Sequence, residues 1–281
     1  MKGNFPSLNG WRAISIMLVL ANHTPMVPGF PTAHRYFFTT WLDGELGVRF
    51  FFAISGFLIT WLMLAEEVEY KKVSLKIFYI RRSLRIWPVY FAYVVIFLIL
   101  QVLGFNFQSI GAWRGVLTFT RNFHDENAGM NGDWATAHFW SLSIEEQFYL
   151  FWPLIFCFFG KRDRIGCLLA AILFSTVFKT VELLGLYDRH HAHFLFQEYS
   201  TFNYLDCLGW GCLGAFALAS GRAKLEALAA KYSTIIFPVC FSMVLVPYLV
   251  RVGTGIQAMG FMGLVLHSVL CPRWIFYRVL N

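Results

Sequence analysis

Long apolar stretches separated by short polar ones set the pattern of this chain. A membrane-spanning helix needs about 20 mostly apolar residues. Segments of that kind run over 8–29, 46–65, 87–105, 138–159, 165–186, 203–220, 234–250 and 254–271. A ninth apolar stretch, 109–120, is short and holds Trp113 and Arg114, so it reads as re-entrant or interfacial. Residues 74–86 read as a basic amphipathic helix at the membrane boundary, with Leu75, Phe78, Ile80 and Leu84 as its apolar contacts. Pro88 then opens the third span at an early helical position, where its missing N–H costs little. There is no internal repeat, low-complexity tract or long linker. The prediction is an all-α fold: a polytopic transmembrane helix bundle of about eight spans plus one re-entrant or interfacial segment, forming a single domain over 1–281.

Composition agrees with the pattern. Of 281 residues, 58% are apolar and 14% charged, against about 45–50% and 25% in an average soluble domain. Mean hydropathy is +0.57. A disordered tail, a coiled coil and an ordinary cytosolic enzyme are excluded. The net charge of +7 does not indicate nucleic acid, because the basic residues flank apolar runs, where they act as topology signals. Lys71, Lys72, Lys76, Arg81, Arg82 and Arg85 mark a cytoplasmic segment, and two spans precede it, so the N-terminus is expected in the cytoplasm. Eight crossings also place Lys161, Arg162, Arg164, Arg222, Lys224, Lys231, Arg273 and Arg278 inside, and the loops 30–45, 106–137 and 187–202 outside. The expected location is the cell (inner) membrane. Six cysteines lie in or beside apolar runs without a C-x-x-C, which indicates neither a disulfide framework nor a zinc site. Arg12 and His23 interrupt the first apolar region, so it does not read as an ordinary signal peptide.

Charges inside spans are costly and therefore point to function. Arg12 and His23 share the first span. Their eleven-residue spacing is about three turns plus 20°, which puts both on one face about 16 Å apart along the axis. Imidazole can move protons near neutral pH. The alternative is an interfacial anchor (Arg12) and an outer-edge cap (His23). A second constellation runs from His138 to Tyr149, where His138, Ser141, Glu145 and Tyr149 fall on one helical face. Glu145 could be buried and paired with a cation such as His23 or an arginine. Glu146, turned away, fits the water interface better, and Glu145 could also stand there. Arg82 and Arg85, three apart, form a fork suited to phosphate or serve only as positive-inside anchors. Asp206 could be a buried partner for an arginine. Gly209, Gly211 and Gly214 suit close helix packing. The crowded tract Asp188-Arg189-His190-His191-Ala192-His193 makes a poor metal site, and no metal is expected.

Four stretches resemble the acyltransferase-3 family of integral-membrane acyltransferases that modify cell-surface glycans. Leu8-Asn9-Gly10-Trp11-Arg12 with His23 is similar to its opening L-D-G-x-R and following histidine. Phe51-Phe52-Ala53-Ile54-Ser55-Gly56-Phe57-Leu58-Ile59 is similar to F-F-x-I-S-G-F-L-I. Arg82-x-x-Arg85-Ile86-Trp87-Pro88-Val89-Tyr90 resembles R-x-x-R-I-x-P-x-Y, and Trp140–Tyr149 resembles W-S-L-x-V-E-x-Q-F-Y. The resemblance is clear over 8–160 and looser beyond. It implies transfer of an acyl group, commonly acetyl, from acyl-CoA to a sugar hydroxyl of a polysaccharide, lipopolysaccharide, peptidoglycan or oligosaccharide.

Carried over residue by residue, the resemblance implies that His23 is the essential histidine and Arg12 its basic partner. Arg82 and Arg85 match the R-x-x-R motif, and Glu145 matches the motif glutamate. The implied mechanism docks the phosphates of acetyl-CoA on Arg82 and Arg85, with Arg12 assisting. His23 acts as general base or holds the acyl group, and Glu145 orients the imidazole. The expected partners are acyl-CoA, a glycan or glycolipid acceptor and the lipid bilayer, with no nucleic acid. Two departures stand out. The family's R-L-D reads Tyr204-Leu205-Asp206, and its last span with G-x-x-S-Y-x-x-Y-L is not present before Asn281. The sequence therefore reads as a short variant or a truncated chain. A secondary transporter with intramembrane Arg, His and Glu, or an inactive family member, are the alternatives.

Overall fold

The helices follow from where the apolar runs begin and stop. The computed structural model describes residues 5–26, 31, 43–105, 108–123, 133–184, 199–249 and 255–274. Within them lie α1 (Pro6–His23), α2 (Gly44–Tyr70), α3 (Leu75–Val102), α4 (Ile110–Leu117), α5 (Trp134–Ala137), α6 (Phe139–Phe158), α7 (Lys161–Leu183), α8 (Leu205–Leu249) and α9 (Gly255–Leu270). No strand occurs among the described residues, as the all-α prediction requires.

Among the described residues four helices, α2, α3, α7 and α8, are long and apolar enough to cross a membrane. The expected count of eight spans is not confirmed. Polar residues dilute the apolar character of α1 (Asn9, Arg12, Asn22, His23) and α6 (Glu145, Glu146, Gln147). With 16 residues, α9 is only about 24 Å long, against a hydrocarbon core of about 30 Å. Two expected spans share the run α8, which leaves helical geometry at Gly221 and Tyr232. The charged stretch between those breaks is itself helical, and its Arg222 pairs with Glu226 at 2.7 Å. At eight residues, or about 12 Å, α4 is too short to cross, in line with not counting it as a span.

The expected boundary helix over 74–86 and the third span prove to be one continuous helix. Ser74 caps α3 through the Ile77 N–H, and the helix passes through Pro88 to Val102. Its 28 residues span about 42 Å. An apolar middle that fills the hydrocarbon layer therefore leaves the basic first turns at or beyond its edge. Leu84, Val89 and Val102 are exposed on its flank, the pattern of a helix whose solvent is lipid. By contrast the middle of α2 is apolar and largely buried: Phe52, Ala53, Ile54 and Phe57 are at most 1% exposed.

The chain divides into two compact units. The first comprises 1–65, 165–184 and 204–281, and the second 66–164 and 185–203. In the first, α1, α2 and α9 join through Trp11, Phe50 and Phe261, whose ring centroids are 4.8 Å apart at each step. Trp11 Nε1 also donates to Ser268 Oγ at 3.1 Å. The glycines expected to allow close packing do so. A Cβ on Gly211 would lie 2.2 Å from the Ala53 carbonyl oxygen, and one on Gly56 2.2 Å from that of Leu208. The backbones of α2 and α8 thus touch where both lack a side chain. A Cβ on Gly209 or Gly214 would strike Ile172 or Met262.

Gly211→Ala should therefore cost about 1–3 kcal/mol through overpacking against backbone that cannot move aside. Gly166→Ala, where a Cβ meets nothing within 4 Å, should be neutral or slightly stabilising. Thermal melts of the two variants in detergent check this contrast.

In the second unit, Tyr90, Val94, Val116 and Phe139 form an apolar cluster. Tyr90 donates to the Val116 carbonyl at 2.7 Å and Tyr93 to that of Ala135 at 2.8 Å. Asp133 takes both the N–H and the hydroxyl of Ser109 (2.6 and 2.8 Å), and that hydroxyl caps α4 through Ala112. A bidentate pair between Arg164 and Glu67, at 2.9 and 3.0 Å, ties the end of α2 to the start of α7. Glu66 accepts the Ser74 N–H at the entry to α3.

Candidate functional site

The predicted site residues fall in both units: Arg12 and His23 in the first, Arg82, Arg85 and Glu145 in the second. α1 is continuous from Pro6 to His23, so the shared face and the separation of about 16 Å expected for Arg12 and His23 hold in its register. Arg12 is half-buried and His23 is exposed.

His23 is the last residue of α1, and its Nδ1 lies 2.7 Å from the Val19 carbonyl oxygen. A carbonyl can only accept, so in this contact Nδ1 carries the hydrogen. The neutral ring then has its lone pair on Nε2. This bond to a carbonyl of the last turn sets the tautomer.

The helix that begins with Gly44 packs directly on this end of α1. A Cβ on Gly44 would lie 3.2 Å from the Asn22 side chain, and one on Gly47 2.5 Å from the Ser15 carbonyl oxygen. Asp43 Oδ1 accepts the Glu45 N–H at 2.8 Å. Burial and then the Glu45 carboxylate raise the Asp43 carboxyl above its ordinary value. Glu45 Oε1 accepts Arg49 Nε (3.1 Å), Arg49 Nη2 (2.5 Å) and the Tyr204 hydroxyl (3.0 Å). Arg49 Nη1 reaches Gln257 Oε1 at 3.2 Å.

Asp206 is fully buried and pairs with Lys179 Nζ at 2.7 Å. Its cationic partner is thus a lysine of α7, where the sequence suggested an arginine. Tyr204, which stands where the family has its arginine, donates to Glu45 instead.

In the second unit, Arg82 lies 3.7 Å over the Tyr149 ring. The Tyr149 hydroxyl donates to Glu145 Oε1 at 3.0 Å, and Glu145 is buried. Residues 145 and 149 share the helical face expected of them. His138 does not belong to that face: it precedes α6, is exposed, and meets Tyr93 edge-on at 5.3 Å. Stacking occupies the face of the Arg82 guanidinium and leaves its N–H edge, where Nε has no hydrogen-bond partner among the described residues. Arg85 is exposed, so the two arginines differ in setting. Glu146 is half-buried, and Trp87 approaches its carboxylate.

A polar clasp near these residues escaped the sequence reading. Gln147 Nε2 donates to the Phe119 carbonyl (2.8 Å) and to Asn122 Oδ1 (2.9 Å), Asn122 Nδ2 donates to Thr201 Oγ1 (3.0 Å), and Thr201 Oγ1 donates to Gln147 Oε1. Arg121 is buried beside it and bonds Ser143 and Thr136. The one available signal was Gln147 inside the Trp140–Tyr149 motif. No cluster of three metal-capable side chains occurs among the described residues. The 188–193 tract lies outside the described residues.

Comparison with known proteins bears on this arrangement. A family model described as an acyltransferase domain matches residues 5–280. The chain is 30% identical to the peptidoglycan O-acetyltransferase OatA of Listeria monocytogenes over 193 residues, which covers 63% of this chain and 29% of that protein. It is 31% identical to the O-acetyltransferase OatA of Staphylococcus aureus over 229 residues, or 75% of this chain and 34% of that protein. The chain thus spans about a third of the length of these curated relatives. No solved structure matches it. With its membrane-length helices, this is a multi-pass membrane protein, and it belongs to the acyltransferase-3 family.

Proposed function

We propose that this protein is a membrane O-acetyltransferase that moves an acetyl group from acetyl-CoA to a hydroxyl of a cell-wall or other cell-surface glycan. In this reading it resides in the cell (inner) membrane with its N-terminus in the cytoplasm. The observation that carries the reading is His23 within a family match covering residues 5–280: its ring is tethered through Nδ1, which leaves Nε2 as the base. The names of the relatives, O-acetyltransferases and in one case a peptidoglycan O-acetyltransferase, support the acyl group and the class of acceptor.

In the proposed step, Nε2 of His23 takes the proton of the acceptor hydroxyl as its oxygen attacks the thioester carbonyl. The C–S bond breaks, CoA leaves as the thiolate, and the imidazolium returns the proton to it. Arg82 and Arg85 receive the phosphates of CoA, with Arg12 drawing in the donor. Glu145 holds the Tyr149 hydroxyl, and the Tyr149 ring holds the Arg82 guanidinium. Within its own unit Glu145 is therefore assigned a positioning role toward Arg82.

Arg82→Lys should weaken acetyl-CoA binding about tenfold, because an ammonium offers neither the planar stack on Tyr149 nor a bidentate edge. Titration of the protein in nanodiscs measures it. The reading as a whole is tested with labelled acetyl-CoA and an acceptor glycan, following thiol release and label transfer. A purified protein that binds no acyl-CoA yet moves a solute across vesicles would establish the transporter alternative instead.

A further inference from the structure

The first unit gathers polar side chains at one end. The C-terminus of α1, the N-termini of α2, α8 and α9, and the last turns of α7 meet there, linked by Gly44 against Asn22, Tyr204 to Glu45, Arg49 to Gln257 and Lys179 to Asp206. This is the end that carries His23. Many of its groups satisfy one another, but Glu45 does so through one oxygen. All three of its donors converge on Oε1, and Oε2 accepts no hydrogen bond among the described residues. The Glu45 side chain is held by these donors and is 33% exposed, so a ligand can reach it.

We infer that Glu45, held by Arg49 and Tyr204, is the acceptor subsite of the enzyme and that its Oε2 takes a hydroxyl of a neutral sugar ring next to His23. This rests on the acyl-transfer reading above. A carboxylate oxygen can only accept, so its complement is an O–H or N–H donor, which a sugar ring offers in quantity. An anionic group would need the guanidinium, and Glu45 and Gln257 already occupy it. Three donors, two from Arg49 and one from Tyr204, fix the carboxylate before any ligand arrives, so little ordering remains to be done on binding. Asn22 against Gly44 puts the start of α2, where Glu45 is the second residue, beside the turn of α1 that ends in His23. Glu45 thus binds one hydroxyl of the ring while another faces the imidazole.

The test is acetyl transfer by the full chain in nanodiscs to a neutral N-acetylglucosamine tetramer, with acetyl-CoA affinity measured separately. Glu45→Gln should raise the KM for the tetramer about tenfold, the loss of one charge-assisted bond, with a much smaller fall in kcat and an unaltered Kd for acetyl-CoA. If Glu45→Gln does not yield folded protein, Tyr204→Phe, which removes one donor from Oε1, should raise the same KM about threefold. An unmoved KM in the folded variant overturns the inference, as does a donor Kd that shifts together with it. Absence of transfer by the wild-type protein overturns the acyl-transfer reading, and this inference with it. Wild-type transfer with an unmoved variant KM overturns this inference alone.

Discussion

His23→Ala should reduce acetyl transfer by about two to four orders of magnitude, the usual contribution of a positioned general base, while the protein still folds and binds acetyl-CoA. The imidazole is exposed at the end of α1, and among the described residues its hydrogen bond is to the Val19 carbonyl of the same helix. Its removal takes away a second donor from a carbonyl of the last turn and opens no core cavity, so stability should change by about 1 kcal/mol or less. Glutamine at the same position can restore a donor to Val19 but not a base. His23→Gln should therefore match His23→Ala in activity and the wild type in stability. Single-turnover transfer from labelled acetyl-CoA, with thermal melts on the same samples, separates the two effects. Undiminished transfer by folded, inserted His23→Ala protein would remove the histidine from the chemistry.

The placement of His23 was legible because it depends on local geometry. An eleven-residue spacing on an unbroken helix needs no tertiary information. The same holds for Glu145 and Tyr149 at i and i+4, and for the glycines of α8, whose spacing marks a face without side chains. What failed depends on partners far apart in sequence. Asp206 finds Lys179 twenty-seven residues upstream on another helix, and no local pattern announces that pair. The clasp of Asn122, Gln147 and Thr201 joins segments that look like ordinary polar connections. Glu45 lies just outside the expected second span and reads as an interfacial acid until Arg49 and Tyr204 are seen to converge on one of its oxygens. Pro88 misled for a different reason. It suggested the start of a helix, but α3 was already under way and passes through it. Proline is tolerated within membrane helices, where neighbouring groups satisfy the freed carbonyl.

The pair that the sequence did not disclose carries the second large effect. Lys179→Met should destabilise the protein by about 3–5 kcal/mol, the range for breaking a buried ion pair from one side. Asp206 has no exposed surface and the Lys179 side chain is 9% exposed, so water cannot replace the missing ammonium. What remains for the carboxylate is the Cys207 N–H, 2.9 Å from Oδ1, and the Cys207 thiol, which do not balance a full charge. The cost belongs to the stranded anion and not to the absence of an attractive contact, and this difference is measurable. Removing both charges in Lys179→Met/Asp206→Leu strands nothing, so the double variant should recover most of the loss. Asp206→Asn alone should fall between, because the amide has the same shape without the charge. The measurement is a double-mutant cycle on detergent unfolding midpoints. A double variant about as unstable as Lys179→Met would mean that the pair is a net source of stability to this end of the bundle, and one equal to the sum of the single ones would mean that the two charges do not couple. Recovery would mean that the charges are held there at little net gain, which is the expected outcome for a pair retained beside Tyr204 and Glu45 for what it positions.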